Sequence, residues 1–214
     1  MTATWPNGGA PRLVILAAGA SSRLGQPKAL VPLPKGAPLI RLLDAWPALG
    51  PAPIVVTGAH HVEISAALEA SHAQVQILQN KGWAQGRTGG LQAAIEFCPD
   101  RDFVVAPVDC PRIPRRVFEA LLEAWSLAQA PPMGWCAPCV RDPRTGKNRH
   151  GHPILIGRAL LREALCMGAD DPLRNLRTLA QPSFAALVSH TEILEDLDTP
   201  ADLEQLIRED FQTP

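Results

Sequence analysis

This 214-residue sequence predicts a single α/β domain on a doubly wound, mostly parallel sheet. Three features carry that reading. Residues 13–17 are a continuous apolar run, as a strand covered on both faces requires. Similar short runs recur with helix-period segments between them, and Gly and Pro punctuate the junctions. No repeat at solenoid periods competes with this alternation.

The elements follow in order. After the strand at 13–17, Pro27, Pro32, Pro34 and Pro38 delay the first helix to 39–49, which Gly50-Pro51 stops. A second strand at 54–57, a surface helix at 61–71 and a third strand at 75–78 complete the first half. The segment 80–90 is rich in Gly and polar residues and reads as a loop, followed by a helix at 91–97 that Pro99 ends. A fourth strand is expected at 103–107 and a long helix at 113–128, with Pro114 in its first turn and Pro131-Pro132 beyond it. Strands at 135–140 and 153–156 flank a polar connection, 141–151. Helical patterns at 158–166 and 172–179, a strand at 184–188 and a helix at 200–208 close the chain. Residues 1–11 read as a tail and 12–210 as the domain.

Composition narrows the function. Twenty Lys+Arg against 21 Asp+Glu, with a formal charge of -1, provide no global field for nucleic acid or an anionic membrane. Apolar runs fall short of the roughly 18 residues of a membrane span, and residues 1–11 lack the pattern of a secretory signal, so a cytoplasmic location is expected. Five scattered cysteines do not form a disulfide framework. Cys136 and Cys139 spell C-x-x-C on a strand without a second ligand pair, which argues against zinc or redox work. His60-His61 reads as surface or capping.

In doubly wound sheets, ligands bind beyond the carboxyl ends of strands. The stretch after the first strand, Leu16-Ala17-Ala18-Gly19-Ala20-Ser21-Ser22-Arg23-Leu24-Gly25-Gln26-Pro27-Lys28, has the chemistry of a phosphate loop. Small residues admit close approach, successive amides can surround phosphate oxygens, and Arg23 and Lys28 add positive charge. It is neither a P-loop, since no Ser or Thr follows Lys28, nor a G-x-G-x-x-G dinucleotide fingerprint. Asp109 follows a strand, where it can start a turn before Pro111, and Asp198 can cap the last helix beside Pro200. The loop 141–152 carries Arg141, Arg144, Lys147, Arg149, His150 and His152 against Asp142, so it is either a solvated loop or a clamp for an anion.

The pattern L-A-A-G-x-S-x-R-x-G-x-x-K at 16–28 resembles the signature of the molybdenum cofactor nucleotidyltransferases, relatives of the sugar-phosphate nucleotidyltransferases. Asn80-x-x-Trp83-x-x-Gly86, Pro107-Val108-Asp109-Cys110-Pro111, Gly151-His152-Pro153 and Asp196-Leu197-Asp198-Thr199-Pro200 fall in the order that family shows. The resemblance implies a Rossmann-like single domain of the nucleotide-diphospho-sugar transferase type. It implies nucleotide binding by Leu16, Ala17, Ala18, Gly19, Ser21, Ser22, Arg23, Gly25, Lys28, Asn80, Gly86 and Thr88, and Mg2+ binding by Asp109 and Asp198, with Asp196 a rival for the second position. Catalysis falls to Arg23, Lys28 and Asp109, and acceptor contacts to Gly151, His152 and Arg112. Relatives carry a Ser where Gly90 stands here.

The expected reaction transfers a nucleoside monophosphate from a nucleoside triphosphate to a phosphorylated acceptor such as molybdopterin, with release of pyrophosphate. Ala17-Ala18-Gly19 favours CTP over GTP, because guanylyl-transferring relatives carry Gly-Gly there. A phosphate with a second pKa of about 6 is already mostly ionised at neutral pH, so no strong base is needed. The competing readings are a sugar-1-phosphate nucleotidyltransferase, a glycosyltransferase using Asp196-Leu197-Asp198 as a D-x-D, and a non-catalytic nucleotide-binding module. A monomer or weak dimer is expected.

Overall fold

The computed structural model describes Trp5 and residues 9–47, 50–142 and 145–212. Most of the 1–11 tail, the end of the first expected helix and Arg144 lie outside the described residues. The strands are β1 (Arg12–Ala17), β2 (Ile54–Thr57), β3 (Gln76–Gln79), β4 (Phe103–Pro107), β5 (Trp135–Arg141), β6 (Asn148–His150), β7 (Ile154–Ile156) and β8 (Ser183–Leu187). The α-helices are α1 (Pro38–Ala45), α2 (His61–Ala70), α3 (Arg87–Phe97), α4 (Arg115–Leu127), α5 (Arg158–Glu163) and α6 (Pro200–Gln212).

All eight strands belong to one sheet. β3, β2, β1 and β4 run parallel in that order, and β7 joins β4 antiparallel. β5 pairs antiparallel with both β7 and β6 and parallel with β8. Trp135 and Cys139 each pair with β8 as well, so β6 and β7 occupy one edge of β5 and β8 the other.

The period-2 pleat explains the two cores. Leu13, Ile15 and Ala17 of β1 face a core with Leu39 and Leu42 of α1, Ile64 of α2 and Phe118, Leu121 and Trp125 of α4. Val14 faces the opposite core, with Leu91 and Ile95 of α3 and Leu160 and Leu161 of α5. Buried Asp102 ties the layers together. Its carboxylate accepts from Trp125 Nε1 at 3.0 Å and from the Arg158 amide at 2.9 Å.

Several boundaries differ from the sequence reading. α1 ends at Ala45, not 49, because Trp46 precedes Pro47 and is extended at φ -65, ψ 129. α3 starts at Arg87, not 91. Gly89 and Gly90 disfavour a helix locally, but buried Thr88, Leu91 and Ile95 fix α3 against the body of the domain. The polar connection 141–151 contains β6, and 172–179 is a 3-10 segment, Leu173–Leu179, instead of an α-helix. α6 runs on to Gln212, held at its far end by the buried pair between Asp210 and Arg41 of α1.

A third, smaller cluster positions the site. Leu24, Val31 and Leu33, from the segment after β1, pack with Leu197 and Leu206 at the other end of the sequence. Burying a Leu contributes about 1.5–3 kcal/mol, so this contact holds 196–198 against the loop after β1.

Candidate active site

Parallel register brings the strand ends level. Ala17 pairs with Thr57, Leu16 with Pro107 and Thr57 with Gln79, so the following loops are neighbours. Backbone bonds continue beyond the strands, from Ala59 N to Ala18 O at 3.0 Å, Asn80 N to Thr57 O at 2.8 Å and Val108 N to Leu16 O at 3.1 Å. Gly58 is forced by this closeness, since a Cβ there would lie 2.6 Å from Trp83 Cβ and collide with the Ala18 carbonyl.

The loop from Ala18 to Lys28 turns on Ser21, which has φ +53. Its carbonyl accepts from the amides of Leu24 (3.0 Å) and Gly25 (3.1 Å), and its Oγ accepts from the Lys28 amide at 3.1 Å. His60, expected at the surface or as a cap, stands just before α2 without a side-chain cap bond and supports the same loop through Nε2 to Ala20 O at 3.1 Å. Gly19 and Ser22 are exposed, and a Cβ on Gly19 would meet nothing within 4 Å, so the loop has open space above it.

Lys28 is the hub. Its side chain is only 11% exposed, and Nζ bonds Asp198 Oδ1 and lies 3.9 Å from Asp109 Oδ2. Arg23 Nη2 donates to the other Asp198 oxygen at 2.8 Å. The Lys28 hydrogen bond, then the charges of Lys28 and Arg23, hold the Asp198 carboxyl below the ordinary carboxylate range despite partial burial. Asp198 is not the helix cap. Thr199 and Asp202 form a reciprocal capping box, with Asp202 Oδ2 accepting from Thr199 N at 2.7 Å and Thr199 Oγ1 from Asp202 N at 3.3 Å. The cap being met by its neighbours, the Asp198 side chain serves the loop cations.

Asp196 approaches Asp109 from the other side. One donor atom each of Asp109, Cys110 and Asp196 lies within 4.8 Å of the others. The Cys110 thiol donates to Asp196 Oδ1 at 3.2 Å. Burial first, then the two carboxylates, push this thiol far up, so it stays protonated and leaves the carboxylate oxygens as the donors for a cation. An oxygen set of this kind fits a hard divalent ion such as Mg2+.

A cleft of about 680 Å3 opens beside this cluster, lined by Leu16, Asp109, Asp196, Asp198, Gly151 and His152, with Arg87, Arg149, Arg174 and Arg177 on its walls. The guanidinium groups of Arg149 and Arg174 have no hydrogen bond or ion pair among the described residues. His152 reaches the cleft through a register slip. Cys136 pairs with Leu155 but Cys139 with His150, so 137–138 face 151–154 and the surplus bulges. The bulge is wedged at its base, because a Cβ on Gly151 would collide with the Ile193 carbonyl, and the His152 amide donates to that oxygen at 3.0 Å. Burial, more than nearby Arg87, lowers the His152 pKa against the opposing pull of Asp109 and Asp196, so the ring is neutral at pH 7, and buried Nδ1 has no partner.

Two expected residues are placed elsewhere. Arg112 does not join His152. It bonds Glu195 at 3.0 Å and also Glu209, in a separate acidic pocket of about 200 Å3 against α6. The Thr88 hydroxyl is not offered to the cleft, since Thr88 is 1% exposed and donates to Asp171 O at 2.6 Å. Asn80 keeps a buried Nδ2 without a partner, while its Oδ1 accepts from the Gly82 amide at 3.0 Å. Gly86 sits beyond it at φ +149, against the Ala169 carbonyl. Arg87, which the sequence reading did not single out, lies 3.9 Å from Asp109. C-x-x-C is buried, with the Cys136 thiol raised to about 12 by burial, and all five cysteines are free. Among the described residues, no helix is long and apolar enough to cross a membrane.

Known proteins share this architecture. A molybdenum cofactor cytidylyltransferase from Escherichia coli K12 is 26% identical over 189 residues, covering 88% of this chain and 91% of that protein. Rv0371c of Mycobacterium tuberculosis H37Rv, solved in complex with manganese, superposes with a TM-score of 0.69 at 19% identity, over 93% of this chain and 98% of that one. A CMP:2-keto-3-deoxy-manno-octonic acid synthetase complexed with CTP superposes with a TM-score of 0.74 at 17% identity, over 96% of this chain and all of that one. The model of the MobA-like NTP transferase domain matches residues 13–186, which takes in the loop after β1, Asp109 and the His152 bulge but stops before Asp196. A match of that extent, on a sheet of the nucleotide-diphospho-sugar transferase type, means that the chain belongs to the MobA-like NTP transferase family and is a nucleotidyltransferase.

Proposed function

We propose that the chain transfers a nucleoside monophosphate, with CMP favoured, from a nucleoside triphosphate to a phosphorylated acceptor such as molybdopterin, releasing pyrophosphate. The observation that carries this reading is Lys28, almost enclosed and held between Asp109 and Asp198 where the loop after β1 meets the large cleft. CTP is favoured by Ala17-Ala18-Gly19 and by the 26% identical cytidylyltransferase.

In this reading the triphosphate lies along Ala18 to Lys28, with the open amides of the loop, Arg23 and Lys28 around its oxygens. Asp198 now occupies both cations and stands where a phosphate would compete. Its contact with Arg23, 64% exposed, is the weaker one, since exposed pairs contribute about 0–1 kcal/mol. A hydrogen bond to a charged group such as Lys28 contributes about 1.5–3 kcal/mol, and a phosphate oxygen replaces it in kind. Mg2+ would be held by Asp109 with a carboxylate of Asp196-Leu197-Asp198, Asp198 becoming available as the phosphates take its cations. When bound, it would neutralise phosphate charge and align the reacting groups.

Asn80 Nδ2 is a donor for the base or ribose, and Gly86 lets the ligand pass close to the backbone. The acceptor would fill the large cleft, whose free Arg149 and Arg174 suit an anionic molecule, with Gly151 and His152 at its inner wall. A neutral His152 offers a hydrogen bond without titrating near pH 7. The deciding experiment offers CTP, GTP, UTP and ATP, each with Mg2+ and either molybdopterin or a sugar 1-phosphate, and measures released pyrophosphate. CTP with molybdopterin should dominate. Selective turnover of a sugar 1-phosphate, or nucleotide binding with no turnover, would reject the assignment.

A further inference from the structure

Arg87 has no structural explanation in the contacts it makes. It is the first residue of α3, where the positive end of the helix disfavours a cation, and no acidic residue in that turn offsets this. Its side chain is 83% exposed, and its contact is with Asp109 Oδ2 at 3.9 Å, an oxygen also 3.9 Å from Lys28 Nζ. An exposed pair at that distance contributes little to stability.

The backbone beneath Arg87 is nevertheless held firmly. Gly86 has φ +149 and no room for a Cβ against Ala169. The Thr88 amide donates to Ala169 O at 3.1 Å, the Thr88 hydroxyl to Asp171 O at 2.6 Å, and Gln92 Nε2 to Ala164 O and Met167 O, both at 2.8 Å. A docked helix start thus carries an exposed guanidinium, loosely paired with Asp109, to the wall of the large cleft beside Lys28.

That border is where two anions must meet. The acceptor phosphate is close to a dianion at neutral pH, and the α-phosphate it attacks is also negative, so their repulsion opposes approach. We propose that Arg87 is a catalytic residue of this transfer, binding the acceptor phosphate and holding it against the α-phosphorus. The inference rests on the nucleotidyl-transfer reading and deepens it. One acceptor oxygen bonds to the α-phosphorus while the bond to the oxygen bridging to the β-phosphate breaks, and pyrophosphate leaves with that electron pair. Arg87 transfers no proton in this step; its planar fork presents two parallel donors that a lysine cannot.

The test uses the full chain with CTP, Mg2+ and molybdopterin. Arg87→Ala should lower kcat/KM for the acceptor by about 100-fold or more, with KM for CTP within about twofold of wild type. Millimolar guanidinium should restore part of the Arg87→Ala rate, and Arg87→Lys should remain impaired at an unchanged Tm. An Arg87→Ala rate above half that of wild type, or a loss confined to KM for CTP, overturns the proposal. If wild type itself releases no pyrophosphate with molybdopterin, the choice of acceptor fails, and Arg87 is judged by calorimetry with inorganic phosphate, Mg2+ and a non-transferring CTP analogue. Phosphate binding at least tenfold weaker in Arg87→Ala supports the role, and equal binding overturns it.

Discussion

The two sides of the cleft are built by different rules. On the side assigned to the nucleotide, groups follow the ends of parallel strands in continuous register, so Ala17, Thr57 and Pro107 end level and their loops meet without irregularity. On the side assigned to the acceptor, β5 meets β6 and β7 through a register slip, and a bulge places His152. Regular register suits phosphate binding by backbone amides and short loops. The bulge re-aims a single side chain, and its shape depends on Ile193, far along the sequence.

The largest expected effect probes the first side. Lys28→Ala should lower pyrophosphate release by about 10²–10³-fold, with a smaller effect on Tm, because a cation at the proposed phosphate site is lost while Arg23 still pairs with Asp198. Normal turnover in a folded Lys28→Ala protein would break the division between the two sides.

Next comes the wedge on the second side. Gly151→Ala drives a Cβ into the Ile193 carbonyl and should cost about 1–3 kcal/mol, read as a fall in Tm. It should also raise KM for the acceptor and leave KM for CTP unchanged. An unaltered Tm would show that the bulge adapts.

Thr199→Ala sharpens the account of Asp198. Removing one half of the capping box should cost about 1 kcal/mol in urea unfolding. Asp198→Asn should impair turnover, and whatever stability it loses should come from the Lys28 and Arg23 pairs and not from the helix start. A Thr199→Ala protein as stable as wild type would restore Asp198 as a helix cap.

The smallest effect is a pH slope. Burial lowers the His152 pKa from 6.5, so the unfolded chain takes up this proton first as pH falls. The resulting stability is present above pH 6.5 and is lost progressively on acidification below it. His152→Gln should flatten that part of a Tm against pH curve. Asp198 acts in the same direction lower down, its contribution being lost as pH falls below 3.8.

The first side was largely legible in the sequence. The loop from Leu16 to Lys28 advertises itself because its small residues and cations are adjacent in the chain. The capping box is masked in the sequence, because Asp198 beside Pro200 offers a competing cap, and only the structure assigns the role to Thr199 and Asp202. Arg87 was hidden by Gly89-Gly90, which made its segment look like a loop, so that a cation in a helix's first turn could not be noticed as unusual. Arg112, given to the acceptor by the resemblance, meets Glu195 and Glu209, because a motif shared with a family does not say which carboxylates a neighbouring side chain will meet. The 3-10 turn at Leu173–Leu179 reads as an α-helix by pattern, since apolar spacing of three and four serves both.

By itself the sequence determined the alternation of strands and helices, the buried parallel strands and the run of small residues and cations from Leu16 to Lys28, because these depend on residue neighbours within a few positions. Only the tertiary structure decided that Asp198 bridges Lys28 and Arg23, that Asp196 sits beside Asp109, and that His152 and Arg87 face one cleft. Those juxtapositions join residues distant in the chain, and they depend on the packing of Leu24 and Leu197 and on one slip of register, which no local pattern encodes.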